Sequence, residues 1–83
     1  MLFRSVDGLI SIEDLYEETG IAIPDGPYET VGGFVMHDLG RIPQVHDVVK
    51  LNEIRITVLT AEGKRAGKLL ISSNNWKDTS HGG

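Results

Sequence analysis

Eighty-three residues, 40% hydrophobic but only 6% aromatic, suffice for one domain with an aliphatic core, and a chain this short removes only about 60% of its unfolded surface from water. The absence of cysteine excludes disulfide staples, thiolate zinc sites and thiol nucleophiles, and leaves the redox compartment open. The net charge of −4 is uneven, with Arg4 the only Lys or Arg among residues 1–40 and a mildly basic second half, and an acidic chain without clustered cations argues against nucleic-acid binding.

Leu2 to Val6, closed by the turn dipeptide Asp7-Gly8, reads as an opening strand. A helix follows. Ser11 is placed to cap it, Asp14 stands in capping-box position, and Ile10 can staple onto Leu15. Ile12, Leu15, Tyr16 and Thr19 recur at helical spacing as the expected buried stripe, with Glu13, Glu17 and Glu18 pointing away and Gly20 as the left-handed stop. Residues 21–27 contain two prolines and a glycine, which makes them a stiff extended connector.

The second helix is expected from near Thr30 to Leu39, burying Val31, Phe34, Val35 and Leu39 and stopping at Gly40. Gly32 and Gly33 lie inside it. Each costs a helix interior about 1 kcal/mol relative to alanine, so close packing against another element is the expected compensation. From Asp47 onward the apolar period becomes two, giving strands around Val49-Leu51, Ile54-Val58 and Leu69-Ile71, with hairpin turns near Asn52-Glu53 and Glu62-Gly63. Beyond Ser73 the chain is polar, with Trp76 its only large apolar residue, and reads as a loosely ordered tail over 74–83 after a domain spanning 1–73. The fold class is α+β: an antiparallel sheet of about four strands, one N-terminal and three C-terminal, with two helices packed on one face.

Chemistry is sparse. His37-Asp38 and His46-Asp47 invite a metal or general-base reading, but a helix end and a proline-containing loop separate them, and exposed histidines are the expectation. Glu13, Asp14, Glu17 and Glu18 suit a solvated helix face, the first two complementing the helix dipole, with a contact surface as the alternative. Neither Gly32-Gly33 nor Gly63-Lys64 has the flanking residues of a phosphate-binding loop. Ser5, Ser11, Ser72, Ser73 and Ser80 lack a nucleophile setting, so no enzyme activity is expected. Arg41, just beyond the second helix, is expected to bond that helix's last carbonyls; it is also the candidate for contact with a ligand or partner carboxylate or phosphate. Met1-Leu2-Phe3-Arg4 shows no export signal, and no stretch approaches the ~18 apolar residues of a membrane span, so this segment is not expected to insert.

The string Tyr28-Glu29-Thr30-Val31-Gly32-Gly33-Phe34-Val35-Met36-His37-Asp38-Leu39-Gly40-Arg41-Ile42-Pro43 resembles the signature of the CorC/HlyC transporter-associated domain. The likeness extends upstream to Val6-Asp7-Gly8 and Ser11-Ile12-Glu13-Asp14-Leu15, and downstream through Asp47-Val48-Val49 and from Ile54 to Leu59. It departs at His46, where the family usually has glycine, and at Ala66 to Ser72, a strand less basic than usual. The resemblance implies a soluble C-terminal domain at the cytoplasmic face of a larger hemolysin-like or magnesium and cobalt efflux membrane protein, following transmembrane and CBS-pair domains of the same parent. The function expected is a non-catalytic regulatory or interaction domain, with a flavin adenine dinucleotide (FAD) or adenine-nucleotide binding domain as the alternative; no cofactor is expected, and FAD enters only by analogy with a related fold in certain oxidases. The toxin label finds no support in an acidic chain without a membrane-seeking amphipathic segment. A homodimer is a further expectation, from the thin core and antiparallel edges.

Overall fold

The structure, a computed structural model, describes residues 2–52 and 54–73. The expected loose tail at 74–83 lies outside the described residues. Eight elements follow in order: β1 (Leu2–Asp7), α1 (Ile12–Thr19), α2 (Val31–Leu39), β2 (Val48–Leu51), β3 (Ile54–Val58), β4 (Ala61–Glu62), β5 (Arg65–Ala66) and β6 (Lys68–Ser73).

Four strands form one antiparallel sheet in the order β1-β6-β3-β2, so the last strand sits beside the first. Register fixes which side chains share a face, because directly opposed residues of an antiparallel pair point the same way. Val6, Leu69 and Val58 form one row, and Ile71, Ile56 and Val49 the next. All six are buried, and with Leu15 of α1 and Val31, Phe34 and Val35 of α2 they make up most of the core. Both helices therefore cover one face of the sheet, as the alternating pattern predicts. The other face carries Phe3, Arg55 and Lys50 in one row and Leu70, Thr57 and Val48 in the next.

Both helix starts behave as their caps predict. Ser11 Oγ accepts from the Asp14 N–H at 2.9 Å, and Thr30 Oγ1 accepts from the Gly33 N–H at 3.0 Å. The caps also pair with each other through an isolated antiparallel bridge, Ser11 to Thr30, flanked by Ile12 N–H to Glu29 O and Val31 N–H to Ile10 O, at 3.1 and 3.0 Å. Gly20 and Gly40 close the helices in left-handed conformation.

Gly32 carries the close approach that its presence in a helix implies. Its N–H donates to Gly8 O at 2.8 Å, and the Gly8 N–H donates to Gly67 O at 2.6 Å. A Cβ on Gly32 would stand 2.7 Å from that Gly8 carbonyl oxygen, so α2, the β1–α1 turn and the start of β6 meet backbone to backbone.

Two expectations need correction. Tyr16 is 57% exposed and belongs to no buried stripe; helical spacing from Ile12 places it near the apolar face, but Leu15 is the residue of α1 that the core buries. Between β3 and β6 the chain does not make a single turn but a small extra hairpin, β4 with β5, around Gly63 at φ 64°.

Candidate functional site

The loop after α2 is organised by Arg41. Its guanidinium donates two parallel bonds to the Asp47 carboxylate, at 2.8 and 2.7 Å, and a longer one of 3.4 Å to Ile42 O. Asp47 also accepts from the Gln44 N–H at 2.8 Å, and its backbone joins β3 through Val58 N–H to Asp47 O at 2.8 Å. The hydrogen bond from Arg41, then that from Gln44, holds the Asp47 carboxyl below its ordinary value, and the same bond to Asp47 raises Arg41. The expected bond from Arg41 to the end of α2 is thus not made. The helix is closed instead by the Gly40 N–H donating to Met36 O at 2.9 Å, and the guanidinium spans the loop forward, where a bidentate carboxylate offers more than lone carbonyls. About half of the Arg41 side chain, 51%, stays exposed.

His46 fits this loop in an unusual way. Its backbone lies in the left-handed region at φ 79°, which favours glycine, and its N–H donates to Val58 O at 2.8 Å. The chain thus keeps at His46 the loop shape that a glycine would take. The His37 ring packs at 5.4 Å from that of Tyr28. Among the described residues no group of three or more His, Asp or Glu side chains is placed to hold a metal ion.

Gly32-Gly33 offers no phosphate cradle, because the donors of that first turn are already used: Val31 on Ile10 O, Gly32 on Gly8 O, Gly33 on the Thr30 hydroxyl. Glu18, expected in free solvent, meets Arg4 at 3.1 Å.

A concave surface that the sequence does not announce lies between α1 and the connector. One cavity of about 560 Å³ is lined by Ile12, Pro24 and Tyr28 together with Glu13, Asp25 and Glu29. A second of about 430 Å³ shares Ile12 and Glu13 with it and extends along Tyr16, Glu17 and Ile23. Tyr28 is fixed in place, its hydroxyl donating to Pro24 O at 2.6 Å and its ring meeting Phe34 edge-on at 5.4 Å. The only sequence signal for this surface is a run of acidic residues without an intervening cation. That acidic lining would repel the diphosphate of a flavin dinucleotide, so the fold analogy gains nothing from the geometry.

The sequence pattern of the CorC/HlyC transporter associated domain matches residues 5–75. The chain belongs to that family. This transporter-associated domain superposes on the CorC/HlyC domain of Haemophilus ducreyi with a TM-score of 0.77 at 29% identity, covering 89% of this chain and 90% of the other. A domain from a Xylella fastidiosa hemolysin, solved in complex with Mg²⁺ and Mn²⁺, matches at 0.75 and 32% identity over 88% and 89% of the two chains. Among curated relatives, the magnesium and cobalt efflux protein CorC of Vibrio cholerae is 31% identical over 93% of this chain and 26% of its own length. The polyamine export protein of Salmonella typhimurium is 36% identical over 81% of this chain and 15% of its own length. The chain spans between 11% and 26% of the curated relatives it matches. No helix among the described residues is long and apolar enough to cross a membrane.

Proposed function

We propose that this transporter-associated domain is a non-catalytic regulatory or assembly module of a larger membrane transport protein. It would sit at the cytoplasmic face, contacting the CBS-pair and transmembrane domains of its parent. The observation that carries the reading is one of proportion: nearly the whole chain aligns with about a quarter of the Vibrio cholerae efflux protein, yet its own core closes without that remainder. By likeness to that relative the transported species would be a divalent cation, magnesium or cobalt. The name of the Salmonella relative points to a polycation instead, which supports assigning cargo choice to other parts of the parent.

Within this reading Arg41 positions the loop between α2 and β2, and its exposed half is where a partner's acceptor would meet it. Self-association through the free β1 or β2 edge belongs to the same proposal, and a concentration-independent monomer in sedimentation would remove that part. Turnover of a substrate by the purified chain would overturn the non-catalytic reading. Calorimetry of the isolated chain with FAD and with ATP tests the alternative of a nucleotide-binding domain: no saturable heat is expected, and saturable binding of either would favour that alternative.

A further inference from the structure

Carboxylates on this surface fall into two groups. Asp7, Glu18, Asp47 and Glu62 each face a cation, from Lys68, Arg4, Arg41 and Arg65 respectively. Among the described residues Glu13, Asp14, Glu17, Asp25, Glu29 and Asp38 have no ion-pair partner, and four of these six, Glu13, Glu17, Asp25 and Glu29, line the two adjoining cavities between α1 and the connector, which share Ile12 and Glu13. Helix-dipole stabilisation accounts for Glu13, in the first turn of α1. It does not account for Glu17, nor for Asp25 in the connector.

The floor between these carboxylates is apolar. Ile12 is half-buried, Pro24 and Ala22 are exposed, and the exposed Tyr16 lies at one end with Tyr28 at the other. The walls are fixed before anything binds: the Ser11–Thr30 bridge ties both helix starts together, and the Tyr28 ring is held over Gly26, where a Cβ would come within 2.4 Å of a ring carbon. A preformed surface loses little freedom on binding. Uncompensated carboxylates around it attract cations and fix their register. An inorganic cation would leave the apolar floor bare, and no three of these groups converge on a metal position among the described residues.

We propose that this groove docks a basic peptide segment in which Lys or Arg residues flank an apolar side chain, the apolar group lying on Ile12 and Tyr16 and the cations meeting the four carboxylates. The inference rests on the reading of the domain as an interaction module and supplies its contact surface. It does not depend on what the parent transports.

The probe is a short synthetic peptide alternating lysine and leucine about a central phenylalanine, titrated into the 83-residue chain and followed by amide NMR shifts. Saturable shifts are expected at Ile12, Glu13, Glu17, Ala22 and Asp25, with binding weakened by added salt. The triple variant Glu13→Gln, Glu17→Gln, Glu29→Gln should bind about tenfold more weakly while still unfolding cooperatively, its melting temperature lowered only by the lost helix-dipole contribution of Glu13. Tyr16→Ala should weaken binding with every charge retained. Shifts centred on Phe3, Arg55 and Val48, equal binding of the peptide with glutamate for lysine, or full affinity in the triple variant would each overturn the proposal. So would spermine binding as tightly as the peptide, since charge alone would then suffice. Failure here leaves the transport reading standing, because that is tested on the parent protein.

Discussion

Replacing Gly32 by alanine should destabilise the domain, although in a helix the same change ordinarily stabilises. Propensity favours alanine by about 1 kcal/mol. Against it, the new Cβ would lie 2.7 Å from Gly8 O and 3.3 Å from the Gly8 carbonyl carbon, backbone atoms that a rotamer change cannot move. Relief requires α2 to lift from the β1–α1 turn, which costs about 1–3 kcal/mol as overpacking and puts at risk the Gly32 N–H to Gly8 O bond, worth about 1 kcal/mol. The balance is a loss of about 2 kcal/mol, or roughly 10 °C in melting temperature for a domain of this size. Gly33→Ala is the internal control. Its Cβ would meet Thr30 Oγ1 and Tyr28 Cβ, both at 3.2 Å, contacts only a few tenths of an ångström too tight and not a clash with a carbonyl, so it should fall within about 1 kcal/mol of the parent sequence. Thermal and urea unfolding of both variants make the comparison. A Gly32→Ala protein as stable as Gly33→Ala would refute the claim that backbone contact fixes this glycine.

The Arg41–Asp47 clamp makes stability depend on pH with a definite sign. Because the Asp47 carboxyl is lowered in the folded state, its contribution is fully present above the ordinary aspartate value, near pH 4, and disappears as pH falls through the depressed value; the melting difference between the parent sequence and Asp47→Asn should shrink on acidification, and a constant difference would contradict this. Leu15→Ala empties a fully buried position and should cost about 2–5 kcal/mol, a large share of the roughly 4–12 kcal/mol expected for a chain of this length, read as a fall in the urea midpoint. His46→Gly should be no less stable than the parent sequence, since the left-handed backbone at φ 79° costs an ordinary residue about 1 kcal/mol and glycine's added unfolded freedom takes back part of the gain. His46→Val should unfold at clearly lower urea.

The helices were readable because their ends carry local chemistry: Ser11 and Thr30 cap, Gly20 and Gly40 stop, and each signal acts within a few residues. Strand faces were nearly as local: Ile56 sits between Arg55 and Thr57, and Val49, Leu69 and Ile71 recur at a period of two although Val48 and Leu70 interrupt the polar alternation. The β4–β5 hairpin was not readable, because two-residue strands are too short to show a period. Arg41 illustrates a different limit. Its position after a helix suggests a carbonyl partner, while its actual acceptor, Asp47, becomes adjacent only once the loop folds over the buried Pro43. The groove needs still longer range, for it exists only where the connector lies along α1 and Glu29 O meets the Ile12 N–H. Spacing within α1 misplaced Tyr16, which shares the helical period of Ile12 and Leu15 yet stays 57% exposed.

The most direct test of the accessory role proposed for this CorC/HlyC family member is transport by the parent protein with and without this domain. Cells loaded with Co²⁺ and expressing either form would be followed for metal efflux. The account predicts that deletion leaves residual transport but changes its rate or its response to conditions. Efflux identical to that of the intact protein under every condition would contradict it.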